Sequence, residues 1–208
     1  MKRKENERRG QDERKSDHAH KMLERVFYLP ETTDYKGVDD TETQVKGVDS
    51  IFTYNGKTYY CDEKAPVNWV QKNLNTFCME LSFIDRSNTL VDGWFIKEGS
   101  ETDSYLCMWF DDDFEIALVN KADVRSYLEK LGWNVDKLLR KAHKIRYEND
   151  RKFGFVNENG CKFSYSNYDW MPEKPINVLV PRSELVKMAV YTNRFQYEEE
   201  DKKVLGVK

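Results

Sequence analysis

Apolar positions recur along this chain in two periods, and the elements begin and end where the period changes. Ala19, Met22, Leu23 and Val26 follow an i, i+3, i+4, i+7 spacing, which predicts a helix over 15–28 that Pro30 ends. Residues 1–14 before it are polar and read as frayed. Residues 31–46 are acidic, rich in Thr and Gly, without a period, and read as a loop or irregular edge. Two runs of β-branched and aromatic residues, 48–54 and 57–64, flank Asn55-Gly56, which predicts a hairpin with a two-residue turn. Residues 66–75 read as a short connection of one or two helical turns. Over 76–84 strict alternation places Phe77, Met79, Leu81 and Phe83 on one strand face, with Cys78, Glu80 and Ser82 on the other.

Further on, Trp94-Phe95-Ile96 reads as a short strand, and 104–110 and 114–119 as strands joined by Asp111-Asp112-Asp113. Helical patterns over 121–131 and 134–147 are separated by Gly132-Trp133. A small hairpin, 153–156 and 161–165, turns at Asn159-Gly160. A strand over 176–180 leads through Pro181 into a helix reaching about Tyr191, and the tail from 198 to 208 reads as flexible. The expectation is one α/β (α+β) domain over 1–208: an N-terminal helix, then a mixed, largely antiparallel sheet flanked by helices.

The first hairpin carries the chemistry. Counted outward from its turn, Tyr54 pairs with Lys57, Ile51 with Tyr60, and Asp49 with Asp62. Lys64 joins Asp62 on one strand face; Glu63 points the other way and reads as a spectator. Like charges directly opposite on a sheet are destabilising, so a facing carboxylate pair has a use, and a divalent metal ion is the obvious one. The ordinary alternative is a surface salt-bridge cluster. Two other acids are candidates to join: Glu24, on the helix side shared by His20 and Phe27, and Glu80, a metal-ligand candidate on the polar face of its strand.

These residues resemble the PD-(D/E)XK nuclease superfamily. Asp49 near the start of one strand, then Asp62-Glu63-Lys64 on the next, looks like that family's Asp…(D/E)-x-Lys pattern, and the preceding helix offers Glu24 as its acidic member. The likeness covers about residues 15–84; Val48 stands where the family name has proline. It implies a restriction-endonuclease-like core and cleavage of DNA assisted by Mg²⁺ (or Mn²⁺). Asp49 and Asp62 would bind the metal, and Lys64 would serve the attacking water.

Charge sharpens this reading. Net charge is −3, but acidic and basic blocks alternate along the chain. The second helix of the 121–152 segment concentrates Lys137, Arg140, Lys141, Lys144 and Arg146, which could lie along a phosphate backbone or be the solvated side of an amphipathic helix. Of Trp69, Trp94, Trp109, Trp133 and Trp170, most fall in apolar runs and read as core. Four scattered cysteines, no long apolar run and no apolar leader predict reduced thiols in a cytoplasmic protein with no membrane span. No Walker loop, Gly-x-Ser-x-Gly or Gly-x-Gly-x-x-Gly is present. A double-strand cut would need two active sites, hence a homodimer. The other class of reading is a non-catalytic module on a similar scaffold that binds nucleic acid or protein.

Overall fold

A computed structural model describes residues 2–38, 46–85, 87–149, 151–168, 171 and 173–207, with side chains from residue 12 onward. Part of the acidic 31–46 segment, residues 39–45, and Trp170 lie outside the described residues. The fold is mixed α/β with two sheets. The chain divides into two compact units: one from residues up to 74, 101–120 and 189 onward, the other from 75–100 and 121–188. Hydrophobic patterning gives no sign of this division, because each unit is assembled from separated stretches.

The first unit opens with helix α1 (Lys2–Leu23), which continues as a π-helical turn (Glu24–Tyr28) into α2 (Leu29–Glu31). The helix therefore starts earlier than its apolar stripe. Its first two turns are almost all Lys, Arg and Glu, which have high helix propensity but no apolar period to reveal it. Pro30 does not end the helix outright. It occupies the first turn of α2, where a missing N–H is tolerated, after a turn whose Leu29 N–H reaches back to the Glu24 carbonyl. Thr32 then caps the end, its Oγ1 donating to the Tyr28 carbonyl at 2.6 Å.

The sheet of this unit contains β1 (Thr33–Gly37), β2 (Ser50–Tyr54), β3 (Lys57–Lys64), β6 (Ser104–Phe110), β7 (Phe114–Asn120) and β11 (Tyr191–Phe195), side by side in that order. All neighbours are antiparallel except β3 and β6, which run parallel. The β2–β3 register is the counted one, from Tyr54↔Lys57 to Ser50↔Cys61. Asn55 (φ 49°) and Gly56 (φ 77°) both take the left-handed conformation that a two-residue hairpin needs. Alternate residues of the sheet, Phe52, Tyr59, Cys61, Leu106, Met108, Ile116 and Leu118, form one core with Ala19, Met22, Leu23 and Phe27 of the first helix.

Two C-terminal elements depart from expectation. Residues 191–195 leave the helix pattern and pair with β7 as an edge strand. The tail carries a helix, α6 (Glu199–Leu205), with a reciprocal capping box between Glu198 and Asp201. Asp201 is fully buried, accepting from Arg25 Nη2 at 2.6 Å and lying 2.9 Å from His18 Nε2.

The second unit holds an antiparallel sheet in the order β5 (Leu90–Asp92), β4 (Thr76–Ile84), β10 (Lys174–Pro181), β9 (Cys161–Ser166), β8 (Phe153–Glu158). Helix α3 (Lys121–Lys130) leads into α4 (Val135–Glu148), which packs on β4 and β10; α5 (Arg182–Met188) contacts α3 and β10. Residues 94–96 are a turn rather than a strand. Gly93 approaches the Glu80 carbonyl so closely that a Cβ there would lie 2.4 Å from it, and its own carbonyl accepts from Ile96 and Lys97. The strand of this region is instead Leu90–Asp92, paired with β4.

Candidate functional site

The β2–β3 ladder ends at Ser50↔Cys61, and beyond it side chains replace the backbone ladder. Asp49 N–H donates to the Cys61 carbonyl at 2.8 Å, and Asp49 Oδ2 accepts the Glu63 N–H at 2.8 Å. The Asp49 carboxylate thus stands in for a strand carbonyl, which fixes it at the mouth of the hairpin. The Asp62 carboxyl lies near enough for the Asp49 charge to act on it. Asp62 is 4% exposed and is held at 2.6 Å by Lys64 Nζ. Burial pushes the Asp62 carboxyl up to about 7; the Lys64 ammonium opposes this and the facing Asp49 charge adds to it. Across the parallel pairing, Asp62 and Lys64 neighbour Tyr105 and Cys107 of β6. Both neighbours are fully buried, and burial pushes the Cys107 thiol up.

Glu63 points away from Asp62, as strand alternation requires, and is held on the other side of β3. Strand alternation turns it toward α1, and there Tyr28 Oη donates to Glu63 Oε1 at 2.7 Å and His20 Nδ1 donates to Oε2 at 2.8 Å. Ser50 Oγ lies 2.7 Å from the same Tyr28 hydroxyl. The Glu63 hydrogen bond raises the His20 pKa; burial opposes this, and the charges of Glu63, Glu24 and Asp49 add to it. Tyr35 stacks on Tyr28 with ring centroids 4.3 Å apart, and its hydroxyl donates to Glu24 Oε1 at 3.2 Å. His20, Glu24 and Tyr28 recur every four residues on the helix, so a polar stripe i, i+4, i+8 was the signal for this cluster.

The predicted residues therefore separate into groups. Asp49, Asp62 and Lys64 come together. Glu24 joins Glu63, His20 and Tyr35 on the helix-covered side of β3, the side opposite Asp62 and Lys64. Glu80 belongs to β4 of the second unit, where its carbonyl accepts from Phe95 N–H at 3.2 Å. Among the described residues, no three His, Cys, Asp or Glu side chains converge as a metal-binding group.

In the second unit, Lys137, Arg140, Lys141 and Lys144 of α4 line a cleft of about 280 Å³ with Trp133, Glu158 and Asn159. Lys141 is buried against the Glu158 carboxylate and Lys137 Nζ donates to the Gly132 carbonyl at 2.9 Å. Arg146 faces elsewhere: its guanidinium is bound by the carbonyls of Ser166 and Lys174 and by Asn167 Oδ1. Four of the five predicted cations thus share one cleft, while the fifth holds the fold. The four cysteines are free thiols, and no described helix is long and apolar enough to cross a membrane. No protein-family model, curated protein or solved structure matches the chain.

Proposed function

We propose that the chain is a metal-dependent nuclease that hydrolyses phosphodiester bonds of DNA, with a restriction-endonuclease-like core in its first unit. The observation that carries this reading is the buried Asp62 held against Lys64 and beside Asp49. Burial and the Asp49 charge push the Asp62 carboxyl up to about 7 against the opposing Lys64 ammonium, and a bound cation would relieve that repulsion. The order of parts supports the likeness to the PD-(D/E)XK superfamily: a helix, an aspartate at the start of β2, and Asp-x-Lys at the end of β3. The donors also fit the ion, since Mg²⁺ prefers carboxylate oxygens and is commonly held by one or two of them while keeping several waters.

Asp49 and Asp62 would hold Mg²⁺ or Mn²⁺. When bound, the ion polarises the phosphate and acidifies water. Lys64 Nζ, now neutralising Asp62, is positioned to orient the attacking water or to steady the charge that develops on phosphorus. The Glu63 N–H to Asp49 hydrogen bond and the His20 and Tyr28 contacts to Glu63 hold β3 in register, so Glu63, His20 and Tyr28 act as positioning residues. Glu24, bound by Tyr35 on the other side of β3, would correspond to the acidic residue of the family's preceding helix. The cations of the α4 cleft, in the second unit, would by themselves favour nucleic-acid phosphates. Free cysteines suit a reducing compartment such as the cytoplasm.

A second reading has its own support. Asp49 is already engaged by a backbone N–H and Lys64 by Asp62, as in a non-catalytic binding module whose acids merely close a hairpin. One experiment separates the two. Linear, circular and branched DNA, and RNA, are incubated with the protein in Mg²⁺ or Mn²⁺ and in EDTA. The nuclease reading expects cleavage of DNA that EDTA abolishes and that Asp62→Ala and Lys64→Ala lack. Binding without any cutting in either metal selects the module.

A further inference from the structure

The outer face of the second unit's sheet has a composition that the catalytic reading does not use. Strand β8 is the sheet edge, and Phe153 and Phe155 on it are 48% and 50% exposed. Their rings pack edge to face with centroids 5.0 Å apart, and Lys162 Nζ stands 4.0 Å above the Phe155 ring. Arg151 and Lys152, both exposed, immediately precede Phe153. The residues paired with these aromatics are polar: Ser166 faces Phe153, Ser164 faces Phe155, and Lys162 faces Asn157. Gly154, between the two phenylalanines, belongs to the opposite face, where a Cβ would meet the Tyr165 hydroxyl at 2.4 Å. The inner face is thus packed tight while the aromatics are left outside.

Half-exposed phenylalanines on an edge strand are a liability for a soluble chain. The core of an obligate protein interface is depleted in charge, which does not describe a face bearing Lys162 with Arg151 and Lys152 beside it. Aromatic rings interleaved with cations match a strand of nucleic acid with unpaired bases: each base offers a π-face and each linkage an anionic phosphate. In a duplex those π-faces are hidden by stacking.

We propose that this face of the second unit binds single-stranded nucleic acid, with bases stacked on Phe153 and Phe155 and phosphates held by Lys162, Arg151 and Lys152. Binding here is independent of hydrolysis at the Asp49–Asp62 pair, so it is measured in EDTA and either reading can fail alone. The test is fluorescence anisotropy of the full chain with a short fluorescein-labelled oligo-dT and with a duplex of the same length, over a series of salt concentrations. The expected result is a preference of about tenfold or more for oligo-dT, lost in Phe153→Ala/Phe155→Ala with the salt slope unchanged. Arg151→Gln/Lys152→Gln/Lys162→Gln should instead flatten the salt slope. Both phenylalanines are half exposed, so a urea midpoint near wild type is expected for the double variant. Should it unfold, Phe155→Leu, which keeps apolar bulk without a π-face, must still weaken oligo-dT binding. Equal or tighter binding of duplex, no binding at all, or wild-type binding by the alanine variant overturns the proposal. So does a dimer in light scattering that the alanine variant dissolves while oligo-dT binding stays intact, because the face would then belong to a second copy.

Discussion

Two buried aspartates of the first unit, Asp201 and Asp62, are compensated in opposite ways. Asp201 is surrounded by donors: Arg25, His18 and the Glu198 N–H. Burial raises its pKa, but those hydrogen bonds outweigh burial and hold it below the usual aspartate value. Asp62 has one lysine and a second carboxylate against it, and burial carries it up to about 7. The first is what a structural carboxylate looks like once its lone pairs are satisfied. The second is a charge arrangement that the fold alone does not satisfy, as expected where a site is kept ready for a ligand at the expense of stability.

The largest effect should separate the two by activity. Asp62→Asn is expected to lower metal-dependent DNA cleavage by about a hundredfold or more, while Asp201→Ala, wherever it remains folded, cuts at close to the wild-type rate. Initial rates on one plasmid substrate check both, and normal cutting by Asp62→Asn breaks the comparison. Stability should reverse the order. Asp201→Ala leaves Arg25 and His18 facing a gap and is expected to cost about 2–4 kcal/mol. Asp62→Asn removes a buried like-charge contact along with the Lys64 pair, and a change within about 1 kcal/mol is expected. Urea denaturation of the two variants reads this directly.

The pH dependence should also differ in sign. Asp201, depressed in the folded state, contributes stability that is complete above the ordinary aspartate value and lost as pH falls through its folded value. Asp62 is raised from 3.8 to about 7, so between those values the native state binds the extra proton and stability falls as pH rises. His20, also raised, works in the same direction from about 6.5 upward. Urea midpoints across this range should decline from pH 4 to 7 in the wild type. The smallest effect expected is a shallower decline in Asp49→Asn, which keeps an acceptor for the Glu63 N–H but removes the facing charge. An unchanged slope in that variant would mean the two carboxylates do not interact.

Much of this site was legible in the sequence because local chemistry dictates it. Asn55-Gly56 demands two left-handed residues in a row, which pins the hairpin register as far as Ser50 and Cys61; beyond that Asp49 is held by the Cys61 carbonyl and the Glu63 N–H rather than by the ladder. What was hidden depends on contacts distant in the chain. Glu63 has no local sign of function; its partners Tyr28 and His20 come from a helix some 35 and 43 residues earlier. The helical tail did have a local sign, the Glu198–Asp201 capping spacing, but its anchoring by Arg25 is 176 residues away. Residues 191–195 lack the apolar alternation of a core strand because β11 is an edge strand whose central residues are exposed. Arg146 carries the same charge as its helix neighbours, and only tertiary packing turns it into an internal clamp.

The central claim is that Asp49 and Asp62 form one metal site with Lys64 beside it. Titration of Mn²⁺ into the purified protein, followed by electron paramagnetic resonance of the free ion, tests it without reference to turnover. The account predicts a site that Mg²⁺ competes for, lost in both Asp49→Asn and Asp62→Asn and retained in Glu80→Gln. Binding that survives Asp62→Asn, or no binding by the wild type, would contradict it.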